Sequence, residues 1–258
     1  MQPHTLAAEV LPIPGASAST PSRLVGFAKS VPALVLTLLS LDVLCAVSYV
    51  VTRHARDLVG KGVVSYFSLD GEGNLPSWYS AGKLLLVGLM LLAFGCGQLQ
   101  RGARAAWALV LGGLLFLFLS LDETTGLHER FGYWLDAFTH GRKQTLLAST
   151  GFWMIVAAPL FVAAVALLAW SAWHYLRGRP GVIWRYAAGF TIFLAAAAGL
   201  ELLGNFIPPG TTAARVQVLF EELGEMVGAT VLLWATMELM ASHGVTLMVT
   251  RDGPADGR

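Results

Sequence analysis

Charged residues and cysteines are scarce in this 258-residue chain, and each scarcity excludes a class of protein. Charged residues make up 13% and hydrophobic residues 55% of the chain, and the mean hydropathy is +0.64, which excludes an ordinary soluble domain. The net charge of +1 supplies no basic surface to neutralise phosphates, so a nucleic-acid partner is excluded. The two cysteines, Cys45 and Cys96, lie in apolar runs, which favours small packing residues over a disulfide or a metal pair.

Long apolar runs dominate what is there. An α-helix needs about 20 apolar residues to cross the hydrocarbon core of a bilayer, and six runs approach or exceed that length. The sequence therefore predicts an all-α fold, a polytopic membrane bundle of six transmembrane helices. Residues 1–30 are predicted to be a flexible tail, 31–242 the transmembrane domain and 243–258 a polar tail. The predicted spans are 31–52, 78–98, 105–121, 150–175, 183–206 and 213–242.

The distribution of arginine predicts an orientation. The links between spans two and three, and between spans four and five, carry Arg101, Arg104, Arg177 and Arg179 and contain no acidic residue. Basic loops stay in the cytoplasm, so both termini are expected there, in a bacterial inner membrane. The opposite face carries at least as many basic residues, and Lys83 is assigned to that face.

Polar residues converge on the predicted extracytoplasmic face. Glu201 and Asn205 are four residues apart and share a helix face, and Asp122 aligns with Glu129. Glu123 points away from them unless the helix bends at Gly126. The candidate site residues on this face are Glu72, Asn74, Asp122, Glu123, His128, Glu129, Glu201, Asn205, Glu221, Glu222 and Glu225.

So many carboxylates cannot all remain ionised without a compensating cation or proton. Carboxylate, amide and imidazole groups suit a divalent metal ion such as Zn²⁺, Mn²⁺, Fe²⁺ or Ca²⁺. The predicted ligands are Glu123, His128, Glu129, Glu201, Glu222 and Glu225, and the other site residues support them. The alternative is a network that ties helices together through Arg130, Arg142, Lys143 and Arg215.

Known catalytic motifs are missing from the chain. There is no zincin helix, Glu-x-x-His pair, Gly-x-Ser-x-Gly elbow or P-loop. The combination of Leu-Asp-Glu at 121–123, His-Glu at 128–129, Asn-x-Pro-x-Trp-Tyr-Ser at 74–80 and Glu-Glu-x-x-Glu-Met at 221–226 resembles uncharacterised bacterial multi-pass membrane proteins. That resemblance spans helices two to six and implies no activity.

Two kinds of function fit this pattern. The first is a metal-dependent membrane enzyme, hydrolase-like and acting on a lipid or lipid-linked substrate, with Glu123, His128 and Glu129 as catalytic residues. Membrane lipids are its expected partners. The second is an ion- or proton-coupled carrier, or a non-catalytic metal-binding assembly protein. A carrier needs a path across the bilayer, and Asp42 is the one mid-membrane charge that the sequence offers, as a proton relay or as a hydrogen-bonding group. Substrate, metal and oligomeric state stay open.

Overall fold

The computed structural model describes residues 32–71, 73–139 and 153–245, and its regular elements are helices. A 3₁₀ turn, Arg104–Ala106, precedes α4, and a π-helical segment, Ala195–Leu200, follows α8. This confirms the predicted all-α class for the described part of the chain. The helices are α1 Ala33–His54, α2 Arg56–Tyr66, α3 Leu75–Gln100, α4 Trp107–Thr125, α5 Leu127–Thr139, α6 Trp153–Ser171, α7 Trp173–Leu176, α8 Pro180–Leu194, α9 Glu201–Gly204 and α10 Thr212–Ser242.

Within the part of the chain that the structure describes, four helical stretches are long and apolar enough to cross a membrane, and they indicate a multi-pass membrane protein. A fifth apolar helix, Ala157–Ser171, is shorter. Helix α10 has 31 residues, but acidic residues along it lower its hydropathy, so it does not belong to this group. The four stretches are Ala33–His54, Leu75–Gln100, Arg104–Thr125 and Pro180–Gly204.

Two local features differ from the sequence prediction. The predicted spans leave residues 53–77 as a connection, but this part of the chain contains helix α2, which kinks at Gly60, where φ is 81°. The fourth predicted span ends early, because α6 stops at Ser171 and the short α7 follows. Residues 1–31 and 246–258, which include most of both predicted tails, lie outside the described residues.

Polar side chains fix where the helices begin. Asn74 caps α3 by accepting from the Ser77 backbone N–H at 3.1 Å, and Ser77 in turn accepts from the Asn74 N–H, which is a capping box. Pro76 occupies the first turn, where its missing N–H costs nothing. Thr211 caps α10 through the Ala214 N–H at 3.2 Å. These caps fix the polar ends of the two helices that contribute most to the bundle.

Glycines allow the central helices to pack backbone against backbone. A β-carbon at Gly88 of α3 would lie 2.9 Å from the Gly113 carbonyl of α4. A β-carbon at Gly228 of α10 would lie 2.8 Å from the backbone nitrogen of Phe193 in α8, and Gly189 meets Leu232 at the same interface. Such small-residue contacts are typical of membrane helix pairs. The core therefore lies among α3, α4, α8 and α10.

Helix α1 packs against this core along one side only. Val35, Asp42, Ala46 and Tyr49 are its buried residues. Its other side exposes leucine and valine, including Leu44 at 56%. An apolar exterior with a polar residue facing inward is the arrangement expected of a helix in contact with lipid.

Candidate functional site

A buried ion pair joins three helices in the middle of the bundle. Lys83 of α3 donates from Nζ to Asp42 Oδ1 of α1 at 2.6 Å, and the two side chains are 2% and 0% exposed. Thr230 of α10 accepts from Lys83 Nζ at 3.3 Å and donates to Asp42 Oδ2 at 2.8 Å. The Met226 carbonyl accepts from Lys83 Nζ at 2.7 Å. All three ammonium protons and both carboxylate oxygens are therefore satisfied.

The aromatic ring of Tyr79 completes the environment of Lys83. The ammonium nitrogen lies 4.3 Å from the ring centroid, which is within the range of a cation–π interaction. The Tyr79 hydroxyl donates to the Leu38 carbonyl at 2.8 Å, so the ring is fixed between α1 and α3. Removing one partner of this buried pair would leave the other charge uncompensated, which lowers the stability of the fold.

This pair corrects two expectations. Lys83 was assigned to the extracytoplasmic face of the membrane, but it is one of the largest fully buried side chains among the described residues. Asp42 was expected to be the one mid-membrane charge, yet Lys83 is buried with it and neutralises it. The sequence held a partial signal for the pairing. Asp42 lies 12 residues before the end of α1 and Lys83 eight after the start of α3, so at about 1.5 Å per residue their depths differ by about 6 Å, little more than one helical turn.

Glu123 connects the ion pair to the acidic end of the bundle. Its charge acts on Lys83, and the charges of Asp122 and His128 act on Glu123 in turn. The buried hydroxyl of Ser80 lies beside it. The sequence placed Glu123 in the site only if the helix bent at Gly126, and the structure contains that bend.

Gly126 separates α4 from α5. It adopts the left-handed conformation, with φ 58° and ψ 41°, and its N–H donates to the Asp122 carbonyl at 2.8 Å. Beyond the bend, His128 returns to Asp122: its backbone N–H donates to Asp122 Oδ1 at 2.8 Å, and its Nδ1 lies 2.9 Å from Asp122 Oδ2. The predicted alignment of Asp122 with Glu129 on one straight helix is therefore wrong, because two helices meet here.

Helices α9 and α10 supply the remaining carboxylates. Glu225 lies within electrostatic reach of Glu123 and of Glu201, Glu221 and Glu222. Glu221 accepts a hydrogen bond from Gln217, whose amide also donates to the Leu200 carbonyl at 3.0 Å. We refer to Asp122, Glu123, His128, Glu201, Glu221, Glu222 and Glu225 as the carboxylate cluster.

The π-helical segment before Glu201 shapes this side of the cluster. Residues Ala195–Leu200 form a wide turn that contacts α10, and such segments occur often at functional sites. A β-carbon at Gly224 would lie 2.7 Å from the Ala196 β-carbon, so the two helices touch there. Gly199 makes no such contact, since nothing lies within 4 Å of a β-carbon there.

The other predicted site residues have separate positions. Asn74 uses its side chain within its own loop, capping α3 and donating to the Ser68 carbonyl at 2.8 Å and to the Gly71 carbonyl. Asn205 donates to the Leu202 carbonyl at 3.1 Å and has a further interaction. Glu72 lies outside the described residues, and Glu129 is described in its backbone only.

Within residues 32–71, 73–139 and 153–245, no group of three His, Cys, Asp or Glu side chains is placed to hold a metal ion. The donor set of the cluster is acidic and oxygen-rich, as predicted, but its described members are not arranged as a coordination sphere. The metal ligands proposed from the sequence therefore remain a prediction.

The opposite end of the bundle carries separate polar pairs. Arg185 of α8 contacts Glu238 of α10 at 2.6 Å, and its guanidinium lies 4.2 Å from the Trp234 ring centroid. Tyr186 and Thr236 share a buried hydrogen bond of 2.9 Å. Thr230 and Thr236 are about 9 Å apart along α10 at 1.5 Å per residue, so these pairs are separated from the Asp42–Lys83 pair.

His243, just beyond α10, lies in an aromatic pocket. Its ring centroid is 5.1 Å from that of Phe94 and 5.6 Å from that of Tyr175, and its Nδ1 is 2.9 Å from the Leu239 carbonyl. Burial lowers the pKa of His243, the Leu239 carbonyl opposes that effect, and the charges of Arg179 and His174 lower the pKa further.

Comparisons with known proteins give a family and no activity. The profile of a family described as a domain of unknown function (DUF8692) matches residues 31–241, which is all but the last residue of the predicted transmembrane domain. No curated protein and no solved structure matches the chain.

Proposed function

Because the chain belongs to the DUF8692 family, a family of unknown function, we propose a function from geometry: a proton-linked membrane carrier. In this proposal six helices cross the membrane, with α6 and α10 joining the four long apolar stretches. The carboxylate cluster exchanges protons with the extracytoplasmic side. The observation that carries the proposal is the position of Lys83, bonded to Asp42 and within electrostatic reach of Glu123.

Lys83 is bonded to Asp42 of α1 and lies within electrostatic reach of Glu123 of α4. When Glu123 is ionised, it competes with Asp42 for the ammonium group. When Glu123 takes up a proton, that competition ends and Lys83 is held by Asp42 alone. A proton at the cluster therefore changes the relative stability of two arrangements of α1 and α4, and such a difference is what shifts a conformational equilibrium.

The extent of the polar groups also supports a membrane role. Intramembrane ionisable residues are expensive and usually functional. Here they continue from the cluster inward to Lys83 and Asp42, and the Thr230 hydroxyl is hydrogen-bonded to both. Thr230 and Thr236 are about 9 Å apart along α10, so the helices must rearrange before a proton or a substrate can pass from one pair to the other. That requirement is typical of alternating access, in which a site opens to one side at a time.

Proton uptake by reconstituted full-length protein tests the proposal. In vesicles with an internal pH dye and an imposed potential, we expect uptake in wild type, at least a tenfold loss in Glu225→Gln, and little change in Asp57→Asn, a control on the exposed surface of α2. The double variant Asp42→Asn/Lys83→Met removes the buried pair without leaving a lone charge. Uptake at the wild-type rate in the folded double variant would overturn the role of the pair.

A second candidate, the metal-dependent hydrolase acting on a lipid or lipid-linked substrate, is favoured by one contact. Asp122 holds Nδ1 of His128, and a carboxylate in that position fixes the tautomer of an imidazole that binds metal or acts as a base. Elemental analysis of the purified protein, beside the Glu222→Ala/Glu225→Ala variant, tests it. One equivalent of metal in wild type and none in the variant supports the hydrolase. Substoichiometric metal in both contradicts it.

A further inference from the structure

A large apolar cavity lies at the other end of the bundle from the carboxylate cluster. Its volume is about 900 Å³, within the range of about 300–1,000 Å³ that small-molecule sites occupy. It lies among α4, α6 and α8, and its walls include Leu109, Phe116, Ala169, Trp170 and Phe190.

The cavity is unsuited to water. Nearly all lining side chains are hydrocarbon or aromatic, and the Tyr186 hydroxyl is already engaged with Thr236. Water enters a cavity only when it finds two or more polar partners there. The walls also reach the outside of the bundle, because Trp170 and Trp173 are 81% and 53% exposed. In a membrane protein, the apolar material next to such an opening is the acyl chain of a lipid.

Two arginines near one end of the cavity favour one class of lipid headgroup. Arg104 lies one helical turn before the wall residue Ala108, and Arg177 directly follows the wall residue Leu176. Both arginines are exposed, and neither makes an ion pair with another described residue. No acidic residue occurs in either link. Basic groups beside a cleft between membrane helices favour anionic headgroups, and the neighbouring tryptophans suit the headgroup level.

We infer that this cavity binds a phospholipid with an anionic headgroup, its acyl chains between α4, α6 and α8 and its phosphate beside Arg104 and Arg177. The occupant comes from the surrounding leaflet. Its site is separate from the carboxylate cluster, so the assignment does not depend on the proposed carrier function.

Native mass spectrometry of the full-length protein tests this assignment. Phosphatidylglycerol and phosphatidylcholine with identical chains are titrated in turn. We expect one phosphatidylglycerol to be retained at least tenfold more tightly than phosphatidylcholine. Arg104→Gln and Arg177→Gln should each weaken its binding roughly fivefold, the effect of removing one basic charge near a lipid surface.

Two tryptophan variants on α6 locate the lipid. Ala169 lines the cavity, whereas Ala164 is exposed and does not. Ala169→Trp should reduce retention at least tenfold because the indole fills the cavity, and Ala164→Trp should leave it unchanged. Equal retention by the two variants overturns the site, and equal retention of the two lipids overturns the anionic headgroup. A dimer mass without bound lipid would show that a second copy of the chain covers the cavity, which also overturns the assignment.

Discussion

At the scale of single residues, the Asp42–Lys83 pair is the feature whose removal has the clearest consequence for stability. Both side chains are buried, and their hydrogen bonds come from three helices. Removing one charge leaves the other without compensation, whereas Asp42→Asn/Lys83→Met leaves no unpaired buried charge. Comparison of the single variants with the double variant therefore separates the effect of the pair on stability from its effect on function.

Lys83→Met should lower the free energy of unfolding by about 3–5 kcal/mol, because Asp42 is left buried and unpaired. Asp42→Asn/Lys83→Met should recover most of that loss. Thermal unfolding of the single and double variants in detergent gives the coupling energy as a double-mutant cycle. Additive losses would show that the two charges do not interact.

His243 should make stability depend on pH. Burial lowers its pKa below the ordinary value of about 6.5, so the unfolded chain takes up a proton more readily than the folded protein. Stability is then highest at neutral pH and falls as pH drops from about 6.5 through the lowered pKa. The melting temperature, followed over that range, should show this slope in wild type. His243→Phe should remove it, and an unchanged slope would assign it to another group.

The sequence predicted the cluster better than the ion pair, and the reason is geometric. Glu123 and Glu201 occur near helix ends and Glu225 in the first half of α10, and the predicted topology brings these parts of the helices to one face. Lys83 lies inside a span, and its partner depends on which helix faces it, which periodicity does not specify. The bend at Gly126 was recognised as a condition for including Glu123, because glycine readily adopts positive φ. Nothing in the alanine-rich run before Glu201 indicated a π-helical turn.

At the scale of helices, close packing sets how α8 and α10 meet. Gly228 contacts backbone atoms of Phe193, so an added methyl group cannot be accommodated by a side-chain movement. The same interface positions Glu225, one turn away on α10.

Gly228→Ala should destabilise the protein by about 1–3 kcal/mol, the usual cost of overpacking. Gly82→Ala provides the control: Gly82 lies in α3, a β-carbon there meets nothing within 4 Å, and alanine is favoured over glycine in a helix by up to about 1 kcal/mol. Thermal unfolding of the two variants gives the comparison. Equal stability would mean that α8 and α10 have room to separate.

At the scale of the whole molecule, helix boundaries were well predicted. Span five was expected at 183–206 and α8 to α9 cover Pro180–Gly204, and span six was expected at 213–242 where α10 covers Thr212–Ser242. Apolar length and turn residues determine such boundaries. The orientation in the membrane rests on the arginine-rich links alone and is still a prediction.

Cysteine labelling of intact cells tests that orientation. In a chain with Cys45 and Cys96 replaced by alanine, Ala137→Cys on α5 should react with an impermeant reagent from outside, because α5 lies at the end of the carboxylate cluster. Arg177→Cys, at the opposite end, should react only after the cells are opened. The reverse pattern would place the cluster in the cytoplasm.

The three-helix coordination of Lys83 has a consequence for biosynthesis. Asp42 and Thr230 are 188 residues apart, so the ribosome completes one long before the other. The contacts between α3 and α4 are close in the sequence, so this hairpin can form as soon as it is inserted. Lys83, in contrast, waits for α10 to deliver Met226 and Thr230. A chain truncated before α10 would retain an incompletely solvated ammonium group in the bilayer, and that defect would mark it for quality-control proteolysis.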